Sequence, residues 1–341
     1  MEAVILDYVL NFLGIVWEAL PFIILGALIA GILEEMLPQQ ALANLLPKNA
    51  FLAILVGGVL GLIFPMCECG IVVVMRRLLR KGLPLSCCVA YMLAGPIVNL
   101  IVLGSTFVAF KDHTTLDGVP LGWSMVALRA GLGFLVAVST ALVVHVLSTK
   151  VKTSELLTAK ATGDTQQPNA KPTLSLNVVE TTSAPEPKKP WKQRLDNITN
   201  TALKDFIDIT VFLILGSALA ALVRADPALV QNLETLSQSN PILAIPLMML
   251  MALLLCLCSE ADAFLAASFK GMSISAKLAF LVFGPMLDLK LLLMYTRVFK
   301  LKLILTIVAS VTVFTLIACT ATHFLYNPPV AGQMVTTPLA K

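Results

Sequence analysis

Two cysteine pairs, Cys67-Glu68-Cys69 and Cys256-Leu257-Cys258, lie inside long apolar segments of this 341-residue chain. Thiolates are soft ligands, suited to Cu(I), Zn(II) and other thiophilic centres. Four of them could close around one ion as a structural zinc site does. A site that must release its ligand needs a looser shell. Sliding the chain by 189 positions lays the first pair on the second. The same shift lays Lys81-Gly82 on Lys270-Gly271, Ser86 on Ser275, Gly95-Pro96 on Gly284-Pro285 and Phe110-Lys111 on Phe299-Lys300. Of the 45 positions from 67 to 111, twelve are identical. A doubled thiol pair at membrane depth suggests two half-sites that face one soft substrate.

Acids accompany the sulfurs. Glu68 stands between the first two thiols, and Glu260 and Asp262 follow the second pair by two and four residues. An ionisable group inside an apolar span is costly and marks a candidate functional site. Glu68, Glu260 and Asp262 are therefore candidate carriers of a coupling proton. Asn99 and Asp288 occupy matching positions, three residues beyond Pro96 and Pro285. They join Cys67, Cys69, Cys256 and Cys258 as candidate substrate ligands, the four thiols also as metal ligands. Asp288 has a second reading, an ion pair with Lys290 or Lys277.

Helical geometry limits what each pair can do. Residues two apart on an ideal helix point about 200° apart, so both sulfurs face one ligand only where the helix unwinds. Pro65 and Gly70 would permit that in the first copy, whereas no such residues flank Cys256 and Cys258. The expectation is two unequal halves, with Glu260 and Asp262 doing more than the sulfurs in the second. Gly95-Pro96 and Gly284-Pro285 should break their spans into half-helices, because proline removes a backbone donor and clashes with the preceding turn. Cys87, Cys88 and Cys319 read as core.

The elements that must carry these residues are membrane spans. Apolar residues make up 58% of the chain and charged ones 13%, and mean hydropathy is +0.89. Soluble domains run near 45–50% and 25%. Eight apolar segments can be read, at 5–34, 51–75, 83–110, 121–148, 206–225, 241–269, 273–299 and 302–326. The fold class is an all-α polytopic membrane protein of two homologous four-span repeats, 1–148 and 205–328, with some spans broken or re-entrant. A polar linker at 149–204 should be mostly disordered, with 191–204 lying along the headgroups, and 329–341 is a tail. Even counts of spans make the repeats parallel, and odd counts would make them inverted. Basic residues cluster at Arg76, Arg77, Arg80 and Lys81 and in the linker, which predicts a cytoplasmic linker. Eight spans then put both termini in the cytoplasm too, with Arg297, Lys300 and Lys302 outside.

The segment Phe64-Pro65-Met66-Cys67-Glu68-Cys69-Gly70, the stretch from Gly82 to Leu100 with its Gly-Pro, and the second copy resemble the ArsP-type (YraQ-like) permease family. The resemblance covers both membrane halves and omits the linker. It implies a bacterial inner-membrane permease of eight spans with a long central loop. It further implies export of trivalent organoarsenicals or, in one branch, of copper or zinc, with Cys67, Cys69 and Asn99 meeting the substrate. A small residue often separates the two cysteines in that family. Here it is Glu68, and an acid between thiols suits a cation better than a neutral organoarsenical.

These readings converge on a secondary-transporter-type permease that exports a small thiophilic substrate with proton coupling. No phosphate-binding Gly-x-x-x-x-Gly-Lys-Ser/Thr is present, so the chain is not expected to hydrolyse ATP or act as an enzyme, and no cofactor is expected. Its partners are the lipid bilayer and the substrate, not nucleic acid, and self-association stays open. Two alternatives differ in class. One is an intramembrane thiol oxidoreductase, and the other is a permease for a small anion using half-helix ends.

Overall fold

The computed structural model describes residues 2–36, 47, 49–63, 66–113, 120–151, 155–158, 191–224, 241–269 and 272–326. Twelve helices occur among them. Four are long and apolar enough to cross a bilayer: α1 (Glu2–Met36), α6 (Leu121–Lys150), α7 (Trp191–Arg224) and α12 (Leu301–Tyr326). The other eight are short. They are α2 (Ala50–Ile63), α3 (Glu68–Arg80), α4 (Leu85–Ala94) and α5 (Leu100–Phe110), then α8 (Pro241–Leu255), α9 (Asp262–Ser268), α10 (Ile274–Phe283) and α11 (Leu289–Val298). At 1.5 Å per residue none of these covers a bilayer core of about 30 Å.

How the short helices combine follows from which residues meet. Ile97 packs on Gly133, and Phe107 and Lys111 pack on Gly122, so α4 and α5 together run antiparallel to α6. They form one crossing, interrupted at Gly95-Pro96. Helix α2 behaves differently. Its Gly57 meets Cys87 and its Gly61 meets Gly95, so it runs parallel to α4. The beginning of α2 is therefore level with the turn that follows α3, and α3 must return to the face from which α2 entered. The Cys67-Cys69 segment is the tip of a re-entrant hairpin, α2–α3.

The second half has the same order of elements. Ala252 near the end of α8 meets Gly284 at the end of α10, and Lys277 Nζ reaches the Ala267 carbonyl at 3.5 Å. Helices α8 and α9 thus form a second hairpin, with Cys256–Cys258 at its tip. Ser275 Oγ lies 3.1 Å from His323 Nδ1, which sets α12 antiparallel to α10. Each half makes three crossings and one hairpin. The odd number inverts the second half relative to the first. Consistent with this, α1 and α7 are antiparallel, with Glu35 near Asn197 and Ile15 near Ala220.

The eight apolar segments are thus six crossings and two hairpins. The start of α1 and the end of α12 lie on the face opposite the linker, not on the linker face as an eight-crossing count requires. Backbone pairing fixes this: Leu157 bridges Phe299, and Lys300 N donates to the Leu156 carbonyl at 2.9 Å. Linker and α11–α12 junction share a face, so Arg297, Lys300 and Lys302 join Arg76, Arg77, Arg80 and Lys81 there. Leu156 is fully buried, so this part of the linker is ordered by pairing. Residues 191–204 continue into the crossing helix α7 and are not a separate surface helix. The rest of the linker, 152–154 and 159–190, lies outside the described residues, as do Pro65, Lys270-Gly271 and the tail 329–341.

The long helices surround the short ones. Trp17, Trp123, Leu301, Phe324 and Leu325 are among the apolar side chains that α1, α6 and α12 turn outward. Helix α4 and residues 68–78 of α3 are buried. Unwound backbone is tolerated at membrane depth where protein encloses it, and the outer helices supply that enclosure. Gly70 contributes by its size. A Cβ on Gly26 would lie 2.9 Å from Gly70 Cα, so two glycines let α1 and α3 touch. Gly70 sits inside α3 and does not break it, contrary to the expected role.

Candidate functional site

Four half-helices begin at the centre of the molecule, and each begins with an acid or an amide. Asn99 caps α5 and accepts from Ile101 N at 2.9 Å. Asp288 caps α11 and accepts from Leu291 N at 2.6 Å. Both follow the Gly-Pro breaks, where Gly95 and Gly284 end α4 and α10. Glu68 is the first residue of α3, behind an extended Cys67, and Asp262 is the first residue of α9. Helix N-termini carry about half a positive charge each, which favours carboxylates at these positions. The caps also satisfy the exposed backbone donors with the chain's own oxygens.

Two cations reach into this cluster, and each comes from the half opposite to the hairpin it holds. Lys290 Nζ lies 2.8 Å from Glu68 Oε1 and 3.4 Å from Asp288 Oδ2. Arg129 pairs with Asp262 Oδ2 at 2.9 Å and donates to the Ser259 carbonyl at 3.0 Å and to Thr106 Oγ1 at 2.7 Å. The Arg129 side chain has no exposed surface. Ser259 Oγ adds a bond to Glu68 Oε2 at 3.3 Å, joining the two tips directly. The Asp288–Lys290 pair weighed in the sequence is present, and Lys277 lies instead over the Phe110 ring, 5.7 Å from its centroid. Arg129 is not among the residues picked out by sequence, although an arginine two turns inside a 30-residue apolar helix is a signal that finds it.

The thiols of the second pair do not meet as their spacing suggests. Cys67 Sγ, a Glu68 carboxylate oxygen and Cys258 Sγ lie within 4.8 Å of one another. One sulfur comes from each hairpin. Cys69 is within hydrogen-bonding reach of Cys67, and Cys258 donates to Glu260 Oε2 at 3.0 Å. Cys256 is apart. Its thiol points to the Leu253 carbonyl at 3.4 Å and packs with Ile15 and Ala220. Cys87, Cys88 and Cys319 are buried in the core.

The second tip unwinds without proline or glycine. Cys256 takes φ 47°, the left-handed region, and residues 256–258 are non-helical. That conformation costs a side-chain-bearing residue about 1–2 kcal/mol. Of Cys67-Glu68-Cys69 only Cys67 lies outside the helix, because Cys69 is already in α3, whereas all of 256–258 is non-helical. The unwinding is therefore fuller in the half that lacks proline and glycine, contrary to expectation. Asn99 Nδ2 is fully buried and has no hydrogen-bond partner among the described residues. From Glu68 and Lys290 the parallel helices α3 and α11 continue toward the linker face. There Val72, Arg76, Met294 and Arg297 line a groove with Asp208 and Phe212 of α7. Arg76 lies 3.6 Å from Asp208 and Arg77 bonds Asp205 with Nε at 2.8 Å, so ion pairs stand at its outer end.

The centre gathers three sulfurs and four carboxyl groups against two cations where helices are interrupted. Half-helices meeting at mid-depth, with crossings inverted between halves, define a polytopic membrane permease. The chain belongs to the ArsP_1 family, described as predicted permeases, whose family model matches residues 6–324. It is 35% identical over 306 residues to the UPF0718 protein YcgR of Bacillus subtilis, covering 89% of this chain and 93% of that one. It is 34% identical over 309 residues to a Streptococcus mutans protein named as a candidate two-component membrane permease complex subunit, covering 90% and 92%. No solved structure is similar to it.

Proposed function

We propose that this permease carries a small thiophilic substrate, a soft metal ion such as copper or zinc or a trivalent organoarsenical, out of a bacterial cell across its inner (plasma) membrane. The observation that carries this reading is the meeting of Cys67, Glu68 and Cys258 within 4.8 Å. Metal–sulfur bonds near 2.3 Å place two bound sulfurs just under 4 Å apart, so small side-chain movements suffice to bind. Because one sulfur comes from each hairpin, the cargo links the two halves, and their relative movement would open and release it. The excess of carboxyls over cations requires protons or a positive cargo. Glu260, bonded to Cys258, is the proton carrier of choice, while Asp262 is held by Arg129.

The linker face carries Arg76, Arg77, Arg80, Lys81, Arg297, Lys300 and Lys302, which supports a cytoplasmic linker and termini on the outer side. The anion reading has less support, since caps and buried acids already fill the half-helix ends. The test is uptake of Cu(I), Zn(II) and phenylarsine oxide into inside-out vesicles, the direction that export takes there. Cys67→Ser and Cys258→Ser should each lower transport about tenfold or more, as expected for a lost buried ligand contact. Cys256→Ser should leave it near the native rate. Native rates for Cys67→Ser with all three probes would refute the thiol site.

A further inference from the structure

Lys290 is held in the way a small cation is held. Its Nζ lies 2.8 Å from Glu68 Oε1, 3.4 Å from Asp288 Oδ2 and 3.4 Å from the Cys256 carbonyl oxygen. These oxygens come from three elements: the first hairpin tip, the cap of α11 and the unwound end of α8. Only 2% of the lysine side chain is exposed. Transporters coordinate small cations with backbone carbonyls at the ends of broken helices, and carboxylates are oxygen ligands for the same hard cations. The Cys256 carbonyl is free for this because φ 47° ends α8 at that point. Gly216 keeps α7 close to the lysine, since a Cβ there would meet Lys290 Cα and Cβ at 2.7 Å.

Glu68 is shared between two places. One of its oxygens meets the ammonium, and the carboxylate also lies within 4.8 Å of both the Cys67 and Cys258 sulfurs. A cationic cargo on those thiols and an ammonium on the same buried carboxylate repel each other at close range. Asp288, already 3.4 Å away, gives the ammonium somewhere to go.

We propose that Lys290 is a tethered counter-ion. Its ammonium fills an oxygen-lined cation site made by Glu68, Asp288 and the Cys256 carbonyl, and it leaves Glu68 for Asp288 when a cationic cargo binds between the hairpins. The cargo is then charged, and a neutral organoarsenical would not displace the lysine. The displacement half rests on the thiol site proposed above, while the cation-site half does not.

The experiment uses the full chain in lipid nanodiscs. Lys290→Ala lacks a fragment that propylammonium replaces. Millimolar propylammonium should raise the melting temperature of Lys290→Ala and not that of the native chain, and tetramethylammonium, which has no N–H to donate to the oxygens, should raise neither. Adding Glu68→Gln should abolish the effect. If Lys290→Ala is obtained folded only when propylammonium is present, that also supports the site. Failure of the amine either to stabilise or to recover the variant would overturn it. In the second arm, Cu(I) competition against a chromogenic chelator should show Lys290→Ala binding about tenfold more tightly, because a competing charge is gone. Propylammonium should return the affinity to the native value, and phenylarsine oxide binding should not change. Unchanged or weaker Cu(I) binding in Lys290→Ala would overturn the displacement. The first arm uses no cargo, so its outcome is separate from that of the Cys67→Ser transport test.

Discussion

The two hairpin tips meet at the centre of the molecule but turn back by different means. The first enters α3 through an extended Cys67 with φ −69° and ψ 168°, a conformation open to any residue. The second leaves α8 through a left-handed Cys256 and has neither glycine nor proline beside it. Their anchors differ as well. Glu68 of the first tip is held by Lys290, a flexible point charge that has a second carboxylate within reach. Asp262 of the second is held by Arg129, whose planar guanidinium is also fixed by Thr106 and the Ser259 carbonyl. A pre-organised fork with three partners is a rigid tie, and a lone ammonium between two acids is a movable one. The comparison teaches that one tip is built to stay and the other to exchange its counter-ion.

The largest test of this picture is all-or-none. With Cys67 and Cys258 as the sole cysteines and a protease site introduced between residues 159 and 190, mild oxidation should keep the cleaved halves joined on a non-reducing gel. Cys69 with Cys256 should not join them. Next in size, Arg129→Met should cost about 3–5 kcal/mol, the cost of a buried acid left without its partner. Adding Asp262→Asn should recover much of it, and denaturation in detergent measures both. A smaller effect separates the backbones of the tips. At φ 47° a glycine relieves the strain a side chain meets there, about 1–2 kcal/mol, whereas at the extended Cys67 it relieves none. Cys256→Gly should therefore be about 1–2 kcal/mol less destabilising than Cys256→Ala by the same denaturation measurement, since both delete the thiol, and Cys67→Gly should show no such advantage over Cys67→Ala. Equal costs would show that the left-handed Cys256 carries no strain. The smallest effect is Ser259→Ala, which removes one hydrogen bond to Glu68 and should cost about 1 kcal/mol.

Much of the site was legible residue by residue. The Gly-Pro breaks at 95–96 and 284–285 were readable because proline cannot continue the hydrogen-bond ladder. Asn99 and Asp288 stood at matching positions and both cap the helices that resume there. Glu68, Cys67 and Cys258 were among the candidates, and they do come together. The pairing of the thiols was legible in the first pair only. Cys69 stays within reach of Cys67, but Cys256 turns toward its own helix and Cys258 crosses to Cys67. Gly70 was read as a breaker because its freedom is visible in sequence, whereas its close contact with Gly26, 44 positions away, is not.

The amino-acid sequence by itself determined that this is an all-α membrane protein, because apolar length is matched to bilayer thickness one segment at a time. It also determined where helices break, which depends on local backbone chemistry. The tertiary structure alone decided that the segments carrying the cysteines turn back as hairpins. An apolar run with a central break is compatible with crossing or returning, and only packing of α2 beside α4 chooses between them. That choice changes eight crossings to six, inverts the second half and brings linker and α11–α12 junction to one face. It also sets the charges. Arg129 finds Asp262 across 133 positions and Lys290 finds Glu68 from the opposite half. Attraction between buried charges depends on distance in space, which local sequence does not encode.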